Sequence, residues 1–146
     1  MNSRKFYYNT ELRKRRNRQL VDMYREALSI MRARGVTNPH TKALRWVVYN
    51  GSPAYHVSYE RAYAALSMLD MGQLPCREGK PALEMWREIW AKVKAMQVGI
   101  GVSRAAALDY VLRNCRASRF FISMRNARDI VRSAKSNVVN FDFSAL

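Results

Sequence analysis

Apolar residues recur along most of this chain at the three- and four-residue spacing that lines one face of a helix. Leu20, Met23, Ala27, Ile30 and Met31 keep that spacing. Asn9 or Thr10 is the expected cap of this first helix, and Gly35 stops it. Asn38-Pro39 starts the next, with Asn as cap and Pro at the first position. Its Leu44, Val47 and Val48 can bury, Trp46 lies at their margin, and Asn50-Gly51 ends it. Ser58 caps a third helix that runs to about Met71, with Ala62, Ala65, Leu66 and Leu69 inside. Pro81 opens a fourth, whose buried face is Leu83, Trp86, Ile89, Trp90 and Val93. Residues 98–103 read as a loop, with Ser103 capping a fifth helix. Ser123 caps the sixth, where Ala127, Ile130, Val131 and Ala134 make one apolar stripe. Arg125, Arg128, Arg132 and Lys135 fall on its other side, with Asp129 the only acid among them.

The pattern repeats. Ala43 to Val48 lines up with Ala107 to Leu112, 64 positions later. Val57-Ser58 lines up with Ile122-Ser123 at 65, and Met23 to Glu26 with Met85 to Glu88 at 62. The offset drifts only where loops fall. The expected architecture is therefore all-α, an internal duplication of one three-helix unit. Copy one covers residues 10–71, a linker rich in Gly, Pro and charge covers 72–80, and copy two covers 81–135. Residues 1–9 read as a basic aromatic arm, whose Phe6, Tyr7 and Tyr8 either stack on bases or pack on the body. Residues 136–146 read as a short extended tail that docks on the body or links one subunit to another.

With 146 residues, 49% of them hydrophobic, the chain can bury a sizeable core. Lys and Arg number 26 against 11 acids, a net charge of +15. That balance favours a polyanionic partner, nucleic acid before membrane. The excess sits at the two ends, +7 over residues 1–35 and +5 over residues 99–146. Arg4 and Lys5 of the arm, and Arg13, Lys14, Arg15, Arg16 and Arg18 of the first helix, make the densest cluster. Cations in the first turns of a helix repel each other and oppose its dipole, a cost more readily met when an anion is bound. Arg116, Arg119, Arg125, Asn126, Arg128, Arg132 and Lys135 make the second set. No apolar run spans a bilayer and no signal-peptide core follows the basic start, so the expected setting is the cytoplasm, with association to a virion open.

Candidate chemistry is sparse. Cys76 and Cys115 lack CxxC or nearby histidine spacing, which argues for reduced thiols and no metal site. His56 stands in the aromatic connector at a place where the second copy has Phe121, which favours packing over catalysis. No phosphate loop, nucleophile elbow or paired acid–base carboxylates occur. The expectation is a non-enzymatic protein without a cofactor.

Three helices with a basic third helix resemble the trihelical helix-turn-helix group of DNA-binding domains, over roughly residues 20–69 and 83–135. The connector from Asn114 to Ile122 is longer than the usual turn of that group. The resemblance implies that the helix from Ser123 to Lys135 enters the major groove, with Arg125, Asn126, Arg128 and Arg132 reading base edges. The function expected is DNA binding by a small regulator or packaging accessory of a phage or mobile element. The alternative is an assembly protein that coats nucleic acid without sequence preference. RNA remains a third partner.

Overall fold

The first helix has neither Gly nor Pro between Ser3 and Ala33, so nothing interrupts it over 31 residues. The computed structural model describes the backbone of residues 3–145 and the side chains of residues 10–135. It holds six helices: α1 (Ser3–Ala33), α2 (Pro39–Tyr49), α3 (Tyr59–Asp70), α4 (Pro81–Ile100), α5 (Arg104–Asn114) and α6 (Met124–Ala145). The protein is all-α, and no strand occurs among the described residues beyond one isolated bridge, Ser52 with Ala117.

Local chemistry sets the ends. Gly35, at φ 70°, closes α1: its amide reaches the Arg32 carbonyl at 3.1 Å and Val36 N donates to Met31 O at 3.0 Å. Gly72 closes α3 the same way, with Gln73 N donating to Met68 O at 2.9 Å. The Ser58, Ser103 and Ser123 hydroxyls accept from the amides of Arg61, Ala106 and Asn126 at 3.1–3.3 Å. Asn38 precedes α2 at a left-handed φ of 50°, outside the extended region an N-cap usually adopts, and its side chain makes no cap hydrogen bond. Pro39 alone sets that start.

Three expectations change. Residues 3–9 are the first turns of α1 and not a separate arm, and neither Asn9 nor Thr10 caps it. The tail expected to be extended is helical to Ala145, because residues 124–145 contain no Gly or Pro and two adjacent valines do not stop a formed helix. Helix α4 takes in Val98, Gly99 and Ile100, which were expected in a loop; one exposed Gly costs about 1 kcal/mol and is carried by the rest of a long helix.

The helices do not pack in chain order. One core joins Leu20, Tyr24, Ala27 and Leu28 of α1 to Ala43, Leu44, Val47 and Val48 of α2 and to Ala127 and Val131 of α6. The other joins Ala62, Ala65 and Leu66 of α3 to Met85, Trp86, Ile89 and Val93 of α4 and to Ala107, Leu108 and Val111 of α5. Residues 10–71 and 81–135 therefore do not each close on themselves: α6 packs on α1 and α2, and α3 packs on α4 and α5. The cause lies in the connectors. The segment before α3 and the segment before α6 cross, Ser52 and Ala117 exchanging backbone hydrogen bonds at 3.0 Å. Phe120 is thereby delivered to the first core and Tyr55 to the second. At the crossing Tyr55 stacks on Phe121 and His56 on Phe120.

Candidate nucleic-acid interface

The cations of α1 are sorted by its helical period. Leu20, Val21, Tyr24, Ala27 and Leu28 bury, which turns Arg13, Lys14, Arg15 and Arg18 to solvent and leaves Arg16 half-buried. Within this cluster the one ion pair among the described residues is Lys14 with Glu11, at 3.7 Å. Arg16 donates to Asn17 Oδ1 at 3.0 Å. Burial, and then the neighbouring Arg13, lowers the Arg16 guanidinium from its usual value.

Helix α6 lies between α1 and α2 along the stripe that the sequence marks. Ala127 and Val131 are buried, and Ile130 and Ala134 are half-buried. On its α1 side opens a groove of about 730 Å³, where Arg13, Arg16, Arg18 and Arg25 meet Asn126. Asp22 and Asp129 also line it, so four guanidiniums face two carboxylates. On the α2 side Arg128, Arg132 and Lys135 form an exposed row beside Tyr24, His40 and Thr41. Arg32 donates to His40 Nε2 at 3.1 Å, which leaves the ring proton on Nδ1 for the Tyr24 oxygen at 3.0 Å.

The two halves of the molecule treat their charges differently. Around α4 and α5, Arg87 pairs with Glu78, Lys92 with Glu88, Lys94 and Arg104 with Asp70, and Arg113 with Asp109. Asp70 is held below the usual carboxylate range by hydrogen bonds from Trp90 and Lys94. On α1 and α6 the described ion pairs are only Lys14 with Glu11 and Arg132 with Asp129, both exposed and worth little. The cations on α4 and α5 are thus all paired, whereas most of the described ones on α1 and α6 are not.

The site residues expected from sequence divide accordingly. Arg13, Arg16, Arg18 and Asn126 come together in the α1–α6 groove, and Arg128, Arg132 and Lys135 on the adjoining face. Arg125 is exposed on α6. Lys14 and Arg15 are exposed on α1 but line neither groove. Arg116 is exposed in the second connector, where its carbonyl accepts from Lys92 at 2.8 Å. The side chains of Arg4 and Lys5 lie outside the described residues.

Arg119 is a correction. Its side chain is only 15% exposed and is fully engaged inside the protein. It donates to the carbonyls of Phe120 at 3.0 Å and Ile122 at 2.7 Å, stacks over Tyr49 at 4.4 Å and pairs with Glu84 at 3.6 Å. It is a clamp on the second connector.

Two arginines escaped the sequence reading. Arg25 is seven positions after Arg18, on the same helix face, so the period could have found it. Arg61 has no such signal; it lines a recess at the connector crossing together with Arg13 and Arg16 of α1.

Among the described residues no group of three His, Cys, Asp or Glu could hold a metal ion, and Cys76 and Cys115 are free. No helix there is long and apolar enough to cross a membrane. Searches against protein-family models, curated proteins and solved structures returned no match.

Proposed function

We propose that this chain is a non-enzymatic nucleic-acid-binding protein that uses the surface made by α1 and α6, with duplex DNA favoured over RNA. The observation that carries the reading is that Arg13, Arg16, Arg18 and Arg25 of α1 line one groove with Asn126 of α6, beside the exposed Arg128, Arg132 and Lys135, and that none of the four is in an ion pair among the described residues, while the cations on α4 and α5 are paired with acids. Arg13, Arg18 and Arg25 would meet phosphates. The exposed side of α6, with Arg125, Asn126, Arg128 and Arg132, would face base edges; a helix of this kind fits the major groove. The resemblance to trihelical DNA-binding domains then belongs to α1, α2 and α6 and not to three consecutive helices. A small regulator or packaging accessory is the role this reading suggests.

We also propose that the chain is an internal duplication whose third helices are exchanged between copies. Equivalent positions support it. Ser52 bonds to Ala117, 65 residues on, and Tyr55 and His56 stack on Phe121 and Phe120 in the reciprocal way that a two-fold axis generates. The Asn50 amide donates to Trp46 O and the Asn114 amide to Tyr110 O, both pairs shifted by 64.

Fluorescence anisotropy with a labelled duplex, titrated across salt concentrations, tests the binding. Arg18→Gln with Arg25→Gln should weaken affinity and flatten the salt slope by about 0.9 for each phosphate that the variant no longer neutralises. An unchanged slope would show that the groove does not meet the backbone. A marked preference for one selected sequence over competitor DNA separates a regulator from a coating protein.

A further inference from the structure

Where the connectors cross, side chains of α1, α3, α4 and both connectors line a second, smaller recess of about 180 Å³. Arg13 and Arg16 of α1, Arg61 of α3 and Arg119 of the second connector all line it, together with His56. No aspartate or glutamate is among its described lining residues. Its remaining wall is mostly apolar and aromatic, including Tyr55, Trp86 and Phe121. Guanidiniums gathered around one cavity repel each other, the more so beside low-dielectric walls. Arg119 is already accounted for by Glu84 and by two backbone carbonyls. Arg13, Arg16 and Arg61 form no ion pair with a carboxylate among the described residues, and the one described polar partner of Arg16 is Asn17.

We propose that this recess is a binding site for a phosphoryl group. Planar guanidiniums offer paired N–H donors to tetrahedral oxyanions, and charge-assisted bonds of this kind are about twice as strong as neutral ones. The size is selective. Sites for drug-sized ligands occupy roughly 300–1,000 Å³, so this one takes a phosphate head and leaves the rest of its carrier outside. Burial, then Arg16 and Arg15, lower His56 to about 4, so it is neutral near pH 7 and the guanidiniums carry the positive charge of the recess. Its hydrogen bond with Gln19 holds the first connector to α1 at the rim of the recess. Arg13 and Arg16 also line the α1–α6 groove, so the two cavities share these side chains. The phosphoryl group can belong to the 5′ end of a nucleic acid or to a free phosphorylated metabolite. The site itself does not depend on the α1–α6 surface binding DNA.

Inorganic phosphate is the first probe. Titrated against chloride at equal ionic strength, it should raise the melting temperature of the full chain in a saturable way. Arg61→Gln changes an exposed side chain outside the α1–α6 groove, and it should weaken phosphate binding at least tenfold with unchanged circular dichroism. Arg18→Gln lines only the groove; it should leave phosphate binding intact while weakening DNA binding, so the two proposals fail independently. Matched oligonucleotides with a 5′-phosphate and a 5′-hydroxyl give the source. A preference for the phosphorylated end that Arg61→Gln removes assigns it to nucleic acid. Phosphate binding without that preference assigns it to a small molecule. No stabilisation by phosphate beyond chloride, or stabilisation that Arg61→Gln leaves untouched, overturns the site.

Discussion

Ser52 and Ala117 pair as a closed ring: each amide donates to the other's carbonyl at 3.0 Å, and both residues are buried. These two bonds tie together the connectors that carry α3 and α6 across to their packing partners. Ala117→Pro removes one N–H and leaves the Ser52 carbonyl buried without it. The cost should be about 1–3 kcal/mol from the orphaned acceptor alone, more if the ring strains the backbone. Because one crossing serves both cores, urea denaturation should show a lower midpoint in a single transition. A midpoint that does not move, or two separated transitions, would mean that the crossing does not couple the lobes.

The two serine caps before the exchanged helices differ in burial, and this predicts unequal costs. Ser58 is 3% exposed and its hydroxyl accepts from Arg61 N at 3.3 Å; Ser123 is exposed and accepts from Asn126 N at 3.1 Å. Ser58→Ala should cost about 1–2 kcal/mol and Ser123→Ala about 0.5–1 kcal/mol. Equal losses in thermal melts would argue that burial adds nothing at these caps.

Helical period and cap chemistry are local, and they account for what was legible beforehand. The stripe of α6 and the serine caps follow from residues within a few positions of each other. The exchange of α3 and α6 does not, because a stripe says that a face buries and not against which helix. Arg119 misled for the same reason. It stands in a run of basic residues, yet its partners Glu84 and Tyr49 are 35 or more positions away. The far ends of α1 and α6 were missed because aromatic and β-branched residues suggested arm and strand, whereas an uninterrupted helix propagates through them.

Arg119→Lys keeps the charge but loses the planar fork. Stacking on Tyr49 and the paired donation to Phe120 O and Ile122 O should both go. The predicted loss is about 1–3 kcal/mol of stability, read by denaturation, with DNA affinity unchanged below the melting temperature. Full stability in this variant would return Arg119 to the free surface cations.

The His56 imidazole makes stability depend on pH. In the unfolded chain it protonates near its usual value of 6.5; in the fold burial, Arg16 and Arg15 delay this to about 4. Between those values the unfolded state binds more protons, so stability should fall as pH drops from about 6.5 to 4. Allowing for the ring's partial exposure, the loss is about 1–2 kcal/mol. The Glu88 carboxylate also sits below its usual 4.5, since bonds from Ser118 and Tyr55 outweigh its burial, but it acts only at the bottom of this window and below it. His56→Asn preserves a residue that tolerates the φ of 59° and should flatten the slope between pH 6.5 and 5. A slope equal to that of the unmodified chain would place the titrating group elsewhere.

Arg128 and Arg132 decide how α6 is used. They are one turn apart, exposed, and point away from the buried Ala127 and Val131. Arg132 pairs with Asp129 at 3.8 Å, and both side chains are more than half exposed, so this pair adds little. Replacing either arginine with Ala should therefore cost at most about 0.5 kcal/mol of stability. If α6 reads bases, one of the two changes should cost roughly 1–3 kcal/mol in binding to a selected duplex and relax discrimination at one base pair. If α6 meets only phosphates, affinity should fall about equally on every sequence and the salt slope should flatten. The first outcome supports a sequence-reading regulator and the second a coating protein. Binding of DNA and RNA that survives the double change untouched would remove α6 from the interface and leave α1 to carry it alone.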